Sequence, residues 1–137
     1  HASLFSDGYV CVLRHGHPAL EKEFTLETFL ELQHIHVSSR RKGLGQVDLA
    51  LLKCDVERNI KLRVQHYRVA AAIVGSTDLA LSLPRYLAKE FDLVVLPLPF
   101  NVAQLDCHLY WHRQSDSDSS HRWLREAMLE LFKGPKA

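Results

Sequence analysis

Residues 61–84, KLRVQHYRVAAAIVGSTDLALSLP, have the pattern of one strand–helix–strand unit, and this pattern indicates the fold class of the chain. Leu62 and Val64 alternate with polar neighbours, which is the two-residue period of a half-buried strand. The run at 67–74 follows helical spacing, and its small alanines allow a helix to lie close to a sheet. A Gly-Ser-Thr break ends the helix, and alternation returns at 79–83. Two parallel strands joined by a crossover helix are the building unit of an α/β sheet.

The rest of the chain repeats this alternation of strands and helices. Strand patterns occur at 9–13, 34–39, 93–96 and 105–112, and helical patterns at 25–32, 46–53, 84–91 and 118–132. Pro84 is predicted at the first position of its helix, and Gly134 with Pro135 is predicted to end the last one. The sequence therefore predicts an α/β fold.

Length and composition limit the classes of function. With 137 residues and a net charge of +1, the chain suits one domain and shows no basic stripe for nucleic acid. The cluster Arg40, Arg41 and Lys42 lies in a loop and is predicted to be solvated. No apolar run approaches the roughly 20 residues of a membrane span, and no signal peptide is present, so we expect no membrane partner. Because translation does not start at His1, the chain is expected to be a piece of a longer protein.

The three cysteines favour a reducing compartment. Cys11, Cys54 and Cys107 are odd in number and widely spaced, which does not suit a disulfide framework. Cys11 and Cys107 lie inside apolar strand patterns, so we expect them to be buried free thiols. This pattern predicts a cytoplasmic protein.

Metal and catalytic sites are not indicated. Nine histidines include three close pairs, but no carboxylate or thiol completes a tetrahedral set, so half-exposed ordinary histidines are the favoured interpretation. No serine lies in a G-x-S-x-G elbow, and Gly43 with Gly45 lacks the lysine and Ser/Thr of a phosphate loop. The sequence predicts no catalytic residue, no metal, no cofactor and no enzyme. The histidine pairs are His15 with His17, His34 with His36, and His108 with His112.

The strand–helix–strand unit at 61–84 also indicates where a ligand could bind. Ligands of open α/β sheets collect beyond the carboxyl ends of strands, where helix N-termini offer free N–H groups. Gln65, His66 and Tyr67 fall at such an end, and Ser76 with Thr77 lies in the turn before the next strand. His66 suits a charge-assisted bond to a carboxylate. From spacing alone, a His66 that merely caps and orders the turn is the favoured alternative.

Several stretches together resemble the effector-binding domain of LysR-type transcriptional regulators, from Leu4 to about Phe132. The most specific are S-T-D-L-A-L-S-L-P at 76–84 and L-Y-W-H-R-Q-S-D-S-D-S-S-H-R-W-L-R-E at 109–126. The branch that senses aromatic acids and flavonoids is the most similar. The other stretches are D-G-Y-V-C-V-L-R-H-G-H-P at 7–18, H-I-H-V-S-S at 34–39, Q-V-D at 46–48, L-R-V-Q-H-Y at 62–67 and L-P-L-P at 96–99.

The resemblance implies part of a regulator with a type 2 periplasmic-binding-protein-like fold. Its Rossmann-like lobes have mixed, mostly parallel sheets with helices on both faces. Residues 8–100 would be the second lobe, and 101–137 the return strand and C-terminal helix that complete the first. DNA would be contacted only through an N-terminal winged helix-turn-helix that this chain lacks. A stand-alone small-molecule or partner-binding module of the same fold is the alternative.

The resemblance also implies a small, aromatic or carboxylate inducer in the cleft between lobes. With the likeness added, a ligand role for His66 becomes the favoured one. Gln65 departs from the branch, where proline is common, and adds a side-chain donor. The second-lobe contacts would be Ser38, Ser39, Gln65, His66, Tyr67, Ser76 and Thr77.

A homo-oligomer is expected from the family and from the C-terminal helix. Trp123, Met128 and Leu131 lie on one apolar stripe whose partners in the first lobe are absent from the chain. Such a patch invites association. We therefore expect this segment to pack against another copy or to leave its family position.

Overall fold

The computed structural model describes residues 1–39 and 44–133. The predicted solvated cluster Arg40, Arg41 and Lys42 and the predicted helix end at Gly134 and Pro135 lie outside these ranges. The chain divides into two compact units, one of residues 8–104 and one that joins 1–7 with 105–137. The strands are β1 (Ala2–Asp7), β2 (Tyr9–Leu13), β3 (Gln33–Val37), β4 (Asn59–Val64), β5 (Ala80–Pro84), β6 (Val94–Pro97) and β7 (Leu105–Leu109). The helices are α1 (Leu26–Glu31), α2 (Gln46–Lys53), α3 (Tyr67–Ser76), α4 (Arg85–Ala88) and α5 (Ser119–Lys133).

The unit of residues 8–104 is built on a five-stranded sheet in the order β4-β3-β5-β2-β6. β3 pairs in parallel with both β4 and β5, whereas β2 is antiparallel to β5 and β6. β4 and β5 are thus parallel, as the crossover unit predicts, with β3 lying between them. The predicted α/β class with a mixed, mostly parallel sheet is confirmed.

Alternate strand residues bury two core clusters on opposite faces of this sheet. Val10, Ile35 and Leu81 join Ala70 and Val74 of α3 in one cluster. Their neighbours in sequence point the other way, and Cys11 and Leu13 join residues of α1 and α2 there. The residues from these two helices are Phe29, Val47 and Leu51. Period-two burial therefore places helices on both faces.

Some boundaries differ from the prediction. α4 covers one turn instead of 84–91, because Glu90 N and Phe91 N bond to carbonyls three residues back, at Leu87 and Ala88. β7 ends at Leu109 rather than at 112. Cys11 is buried as expected, but Cys107 is only half-buried because it lies on a two-stranded sheet.

The second unit pairs β1 with β7 in an antiparallel ladder, from Ala2 opposite Leu109 to Asp7 opposite Leu105. The sequence prediction did not include β1, whose partner strand lies about 100 residues later. Phe5 stacks on Phe132 of α5 with ring centroids 5.3 Å apart. Trp123 and Leu131 are 69% and 77% exposed, so the predicted association through this stripe stays a prediction. Within the described ranges, no helix is both long and apolar enough to cross a lipid bilayer.

Candidate functional site

The carboxyl ends of β3 and β4 lie side by side and border a cavity. Ser38, directly after β3, donates its backbone N–H to the carbonyl of Val64 at 3.0 Å. Ser38 and Tyr67, the first residue of α3, both line a cavity of about 430 Å³. Tyr9 of β2 and Ser82 of β5 line it as well. The volume lies within the range of small-molecule sites in proteins.

Two helices begin at this edge without a side-chain cap. The N-cap of α2 is Gly45, which has no side chain to form a capping bond. The N-cap of α3 is His66, whose side chain makes no hydrogen bond to the helix. The first N–H groups of a helix have no intrahelical acceptor, and they carry partial positive charge. Gly45 and Gln46 line the cavity, so the partial positive charge at the start of α2 lies at the cavity wall.

The structure separates the predicted site residues into three groups, two of which lie at this edge of the sheet. Ser38 and Tyr67 line the cavity, as strand-end topology predicts. Ser39, Gln65 and His66 lie at the same edge but are exposed, and they are not part of the cavity lining. A ligand role for any of these residues stays a prediction.

Ser76 and Thr77 lie at the opposite edge of the sheet from the other predicted site residues, and a ligand role for them stays a prediction. α3 runs back across the sheet for 10 residues, about 15 Å, before β5 begins. Their hydroxyls are used locally. Ser76 Oγ donates to the Ala72 carbonyl at 3.2 Å, and Thr77 Oγ1 donates to the Ile73 carbonyl at 2.7 Å.

A buried ion pair beside the cavity was missed from the sequence. Arg58 Nε donates to Asp48 Oδ1 at 2.8 Å, and Arg58 Nη2 donates to Asp48 Oδ2 at 3.0 Å. The side chains are 3% and 11% exposed. The available signal was Asp48 itself, a carboxylate between Val47 and Leu51 on the buried side of α2, which requires a buried cation.

His36 completes this cluster. Its Nδ1 lies 3.2 Å from Arg58 Nη2 and 3.7 Å from Asp48 Oδ2. Burial lowers the pKa of His36, and the Arg58 charge lowers it further. Because a guanidinium nitrogen can only donate, we assign Nδ1 as the acceptor and place the ring hydrogen on Nε2.

Tyr9 and Tyr67, which both line the cavity, keep their phenolic protons. Burial raises the pKa of Tyr67, and its neighbour Tyr9 raises it further. Burial also raises the pKa of Tyr9 itself. Both phenols therefore retain a hydroxyl that can donate to a ligand.

The histidines are distributed differently from the prediction of half-exposed rings. His34 and His36 are buried, because both point from β3 into the core beneath α1 and α2. His34 Nε2 donates to the Phe29 carbonyl at 2.8 Å, and its ring centroid lies 4.4 Å from that of Phe29. Within residues 1–39 and 44–133, no group of three or more His, Cys, Asp or Glu side chains is placed to hold a metal ion.

The fold is that of a lobe of the type 2 periplasmic-binding-protein kind, and a cavity of small-molecule size lies at the carboxyl edge of its sheet. Comparison with known proteins identifies the family. The LysR substrate binding domain matches residues 1–133, and the chain belongs to this family. The family is the effector-binding domain of transcriptional regulators and not an enzyme family, in agreement with the sequence prediction.

Similar proteins support this assignment. The HTH-type transcriptional activator NagR of Ralstonia sp is 33% identical over 133 residues, which cover 94% of this chain and 44% of that protein. The HTH-type transcriptional regulator SyrM of Rhizobium meliloti (strain 1021) is 35% identical over 127 residues, covering 89% and 39%. The crystal structure of a transcriptional regulator from Vibrio parahaemolyticus matches with a TM-score of 0.79 at 29% identity, covering 96% of this chain and 63% of that one. The chain thus spans less than half the length of these two curated relatives.

Proposed function

We propose that this chain is the inducer-sensing part of a LysR-type transcriptional regulator, and that a small aromatic or carboxylate effector binds at the carboxyl edge of its five-stranded sheet. The observation that carries the proposal is the cavity of about 430 Å³ lined by Ser38 and Tyr67. It lies where the ends of neighbouring parallel strands meet the starts of α2 and α3, the usual place for a ligand in an open α/β sheet.

Two proteins of the same fold guide the choice of ligand class. The effector-binding domain of QuiR has been solved with shikimate, and its TM-score to this chain is 0.65 at 15% identity. That of BenM has been solved with its effector benzoate, with a TM-score of 0.58 at 13% identity. Both ligands are small carboxylic acids on a six-membered ring. They are therefore suitable first probes for this protein.

An effector changes the output of such a regulator only if it binds one conformational state more tightly than another. We infer that DNA is contacted through a winged helix-turn-helix outside this chain and that the regulator works as a homo-oligomer in the cytoplasm. The relatives' names favour a regulator over a stand-alone binding module. A gene that encodes this chain without a helix-turn-helix would favour the module instead.

The proposal is tested by screening the intact protein for ligands. Benzoate, shikimate and a panel of related acids are added during thermal unfolding, and hits are measured by calorimetry. At least one acid should raise the melting temperature, because a ligand that binds only the folded state stabilises it. Tyr67→Phe should then weaken the best ligand by about 2- to 10-fold, the value of one hydrogen bond.

Ser76→Ala is the matched control, since it also removes one hydroxyl near an end of α3 but at the opposite edge of the sheet. Its affinity should equal that of the unmodified protein. Equal losses in both variants would place the ligand elsewhere. A panel in which no compound stabilises the protein would contradict the proposed function.

A further inference from the structure

The cavity at the sheet edge has the electrostatic character of an anion site. Of the side chains that line it in the described part of the chain, Arg58 alone is formally charged, and none is a carboxylate. Asp48, a residue of α2, pairs with Arg58 and is not part of the cavity lining. His36 and the two tyrosines carry hydrogens on the atoms assigned above, so each can donate.

Arg58 has donor capacity left over. Nε and Nη2 are committed to Asp48, and Nη2 also meets His36. Nη1 is buried and has no hydrogen-bond partner among the described residues. A buried donor without an acceptor is costly, and the cost is recovered when a ligand supplies the acceptor.

Ser82 of β5 adds a second such group. Its Oγ is buried without a nitrogen or oxygen partner in the described ranges. The hydroxyl lies against the Cys11 thiol, where its hydrogen bond partly offsets the rise in the thiol pKa that burial causes. A thiol is a weak acceptor, so the hydroxyl remains available to a stronger one.

We propose that Arg58 is the residue that recognises a carboxylate of the effector, with Ser82 as its second donor. The acid enters with its carboxylate toward Arg58 Nη1 and Ser82 Oγ, and its ring lies between Tyr9 and Tyr67 at the mouth. This assignment rests on the proposed function and adds the ligand's orientation and its charge partner. Because neither polar atom has water-accessible surface, the cavity wall must open slightly as the carboxylate arrives.

The start of α2 supports the same orientation. Its N-cap, Gly45, borders the cavity and leaves the first N–H groups of an eight-residue helix without a side-chain acceptor. A Cβ at Gly45 would lie 3.2 Å from His36 Cε1, so glycine keeps the helix start close to the polar cluster. A carboxylate at Arg58 would also benefit from this helix terminus.

The competing interpretation is a purely structural ion pair that supports α2. The two interpretations differ in whether the preference for an acid over its neutral amide depends on Arg58. The probes are benzoate with benzamide, and shikimate with its carboxamide. Binding to the intact protein is measured by calorimetry, and each acid should bind at least about 10-fold more tightly than its amide.

Two variants separate recognition from stability. Ser82→Ala removes one donor at little risk to folding, and should reduce the acid's advantage several-fold. Arg58→Met combined with Asp48→Leu removes both charges together, which avoids stranding a buried carboxylate. It should abolish the preference for acid over amide. Arg63→Met is the control, because Arg63 is an exposed arginine on β4, the strand that begins directly after Arg58.

Each outcome is informative. Acid preference that disappears in the double variant and persists in Arg63→Met supports the assignment. Acids that bind the double variant as tightly as the unmodified protein, or amides that bind as tightly as acids, overturn it and leave the proposed function standing. If neither acids nor amides bind and no panel compound stabilises the protein, both proposals fall.

Discussion

The two faces of the five-stranded sheet are built from alternate residues of the same strands, yet their chemistry differs. The apolar face, packed against α3 and α4, buries Val10, Val12, Ile35, Leu81 and Leu83. The polar face, packed against α1 and α2, buries aliphatic and aromatic side chains too. It also encloses His34, His36 and the Asp48–Arg58 pair.

The difference between the two faces distinguishes the residues that the fold needs from the residues that a binding site needs. Apolar residues at every second strand position are sufficient to attach helices to a sheet, as the apolar face shows. Buried charges add no stability over well-packed hydrophobic residues of similar size, because their desolvation offsets their attraction. Stability alone therefore does not explain the ion pair of the polar face, and this agrees with the proposed role of Arg58 in recognising a carboxylate.

Among the variants that test the difference between the two faces, Arg58→Met should reduce stability the most. The substitution leaves Asp48 buried without its cation, and should lower the free energy of unfolding by about 3–5 kcal/mol. Urea unfolding followed by circular dichroism measures the change. Arg58→Met combined with Asp48→Leu should recover most of the loss, because it leaves no uncompensated charge.

A loss below about 1 kcal/mol in the single variant would resemble an exposed ion pair. The Asp48–Arg58 pair would then contribute no more to stability than an ion pair on the protein surface. The polar face would not differ from the apolar face in depending on a buried charge pair.

The apolar face is predictable from sequence, whereas the ion pair is not. Alternation at 62–64 and 79–83 and helical spacing at 67–74 are local patterns, and the structure follows them. Asp48 and Arg58 belong to different elements, and only the packing of α2 against the sheet brings them within 2.8 Å. Likewise β1 pairs with β7, far along the chain. A local stretch can show that Asp48 needs a partner, but it does not identify Arg58 as that partner, nor β7 as the partner of β1.

The second prediction concerns His34, which should make stability depend on pH. Burial lowers the pKa of His34 to about 4, while the unfolded chain has the ordinary value of 6.5. Protonation also places a hydrogen on Nδ1, which has no partner among the described residues. Between these two pH values the unfolded state binds the proton and the folded state does not, so stability rises with pH.

The contribution of His34 is fully present above pH 6.5 and lost by about pH 4, and amounts to roughly 3 kcal/mol. His34→Gln should flatten the dependence of unfolding free energy on pH in this window, measured by urea titrations at several pH values. His36, whose pKa is also lowered, should retain part of the slope. An unchanged slope in His34→Gln would show that the ring is not held neutral by the polar face.

Only part of the candidate site was predictable from sequence, because the topology of the sheet determines which strand ends and helix ends share an edge. Strand-end reasoning places Ser38 and Tyr67 at one edge of the sheet, where both line the cavity, because the ends of parallel strands share one edge. The same reasoning, carried along α3, would have placed Ser76 and Thr77 at the other edge, since a crossover helix returns the chain to where strands begin. Arg58 reaches the cavity through a long side chain, which backbone position does not reveal.

The smallest effect is expected from His66→Ala, and it tests where the site is centred. His66 is exposed and makes no capping bond to α3, so the free energy of unfolding should change by less than about 0.5 kcal/mol. Because its side chain lies outside the cavity lining, the affinity for the best acid should fall less than about twofold, and less than in Tyr67→Phe. Calorimetry on the two variants makes the comparison. If His66→Ala causes the greater loss of affinity, the ligand is held at the exposed rim by His66. Arg58 then serves only to pair with Asp48.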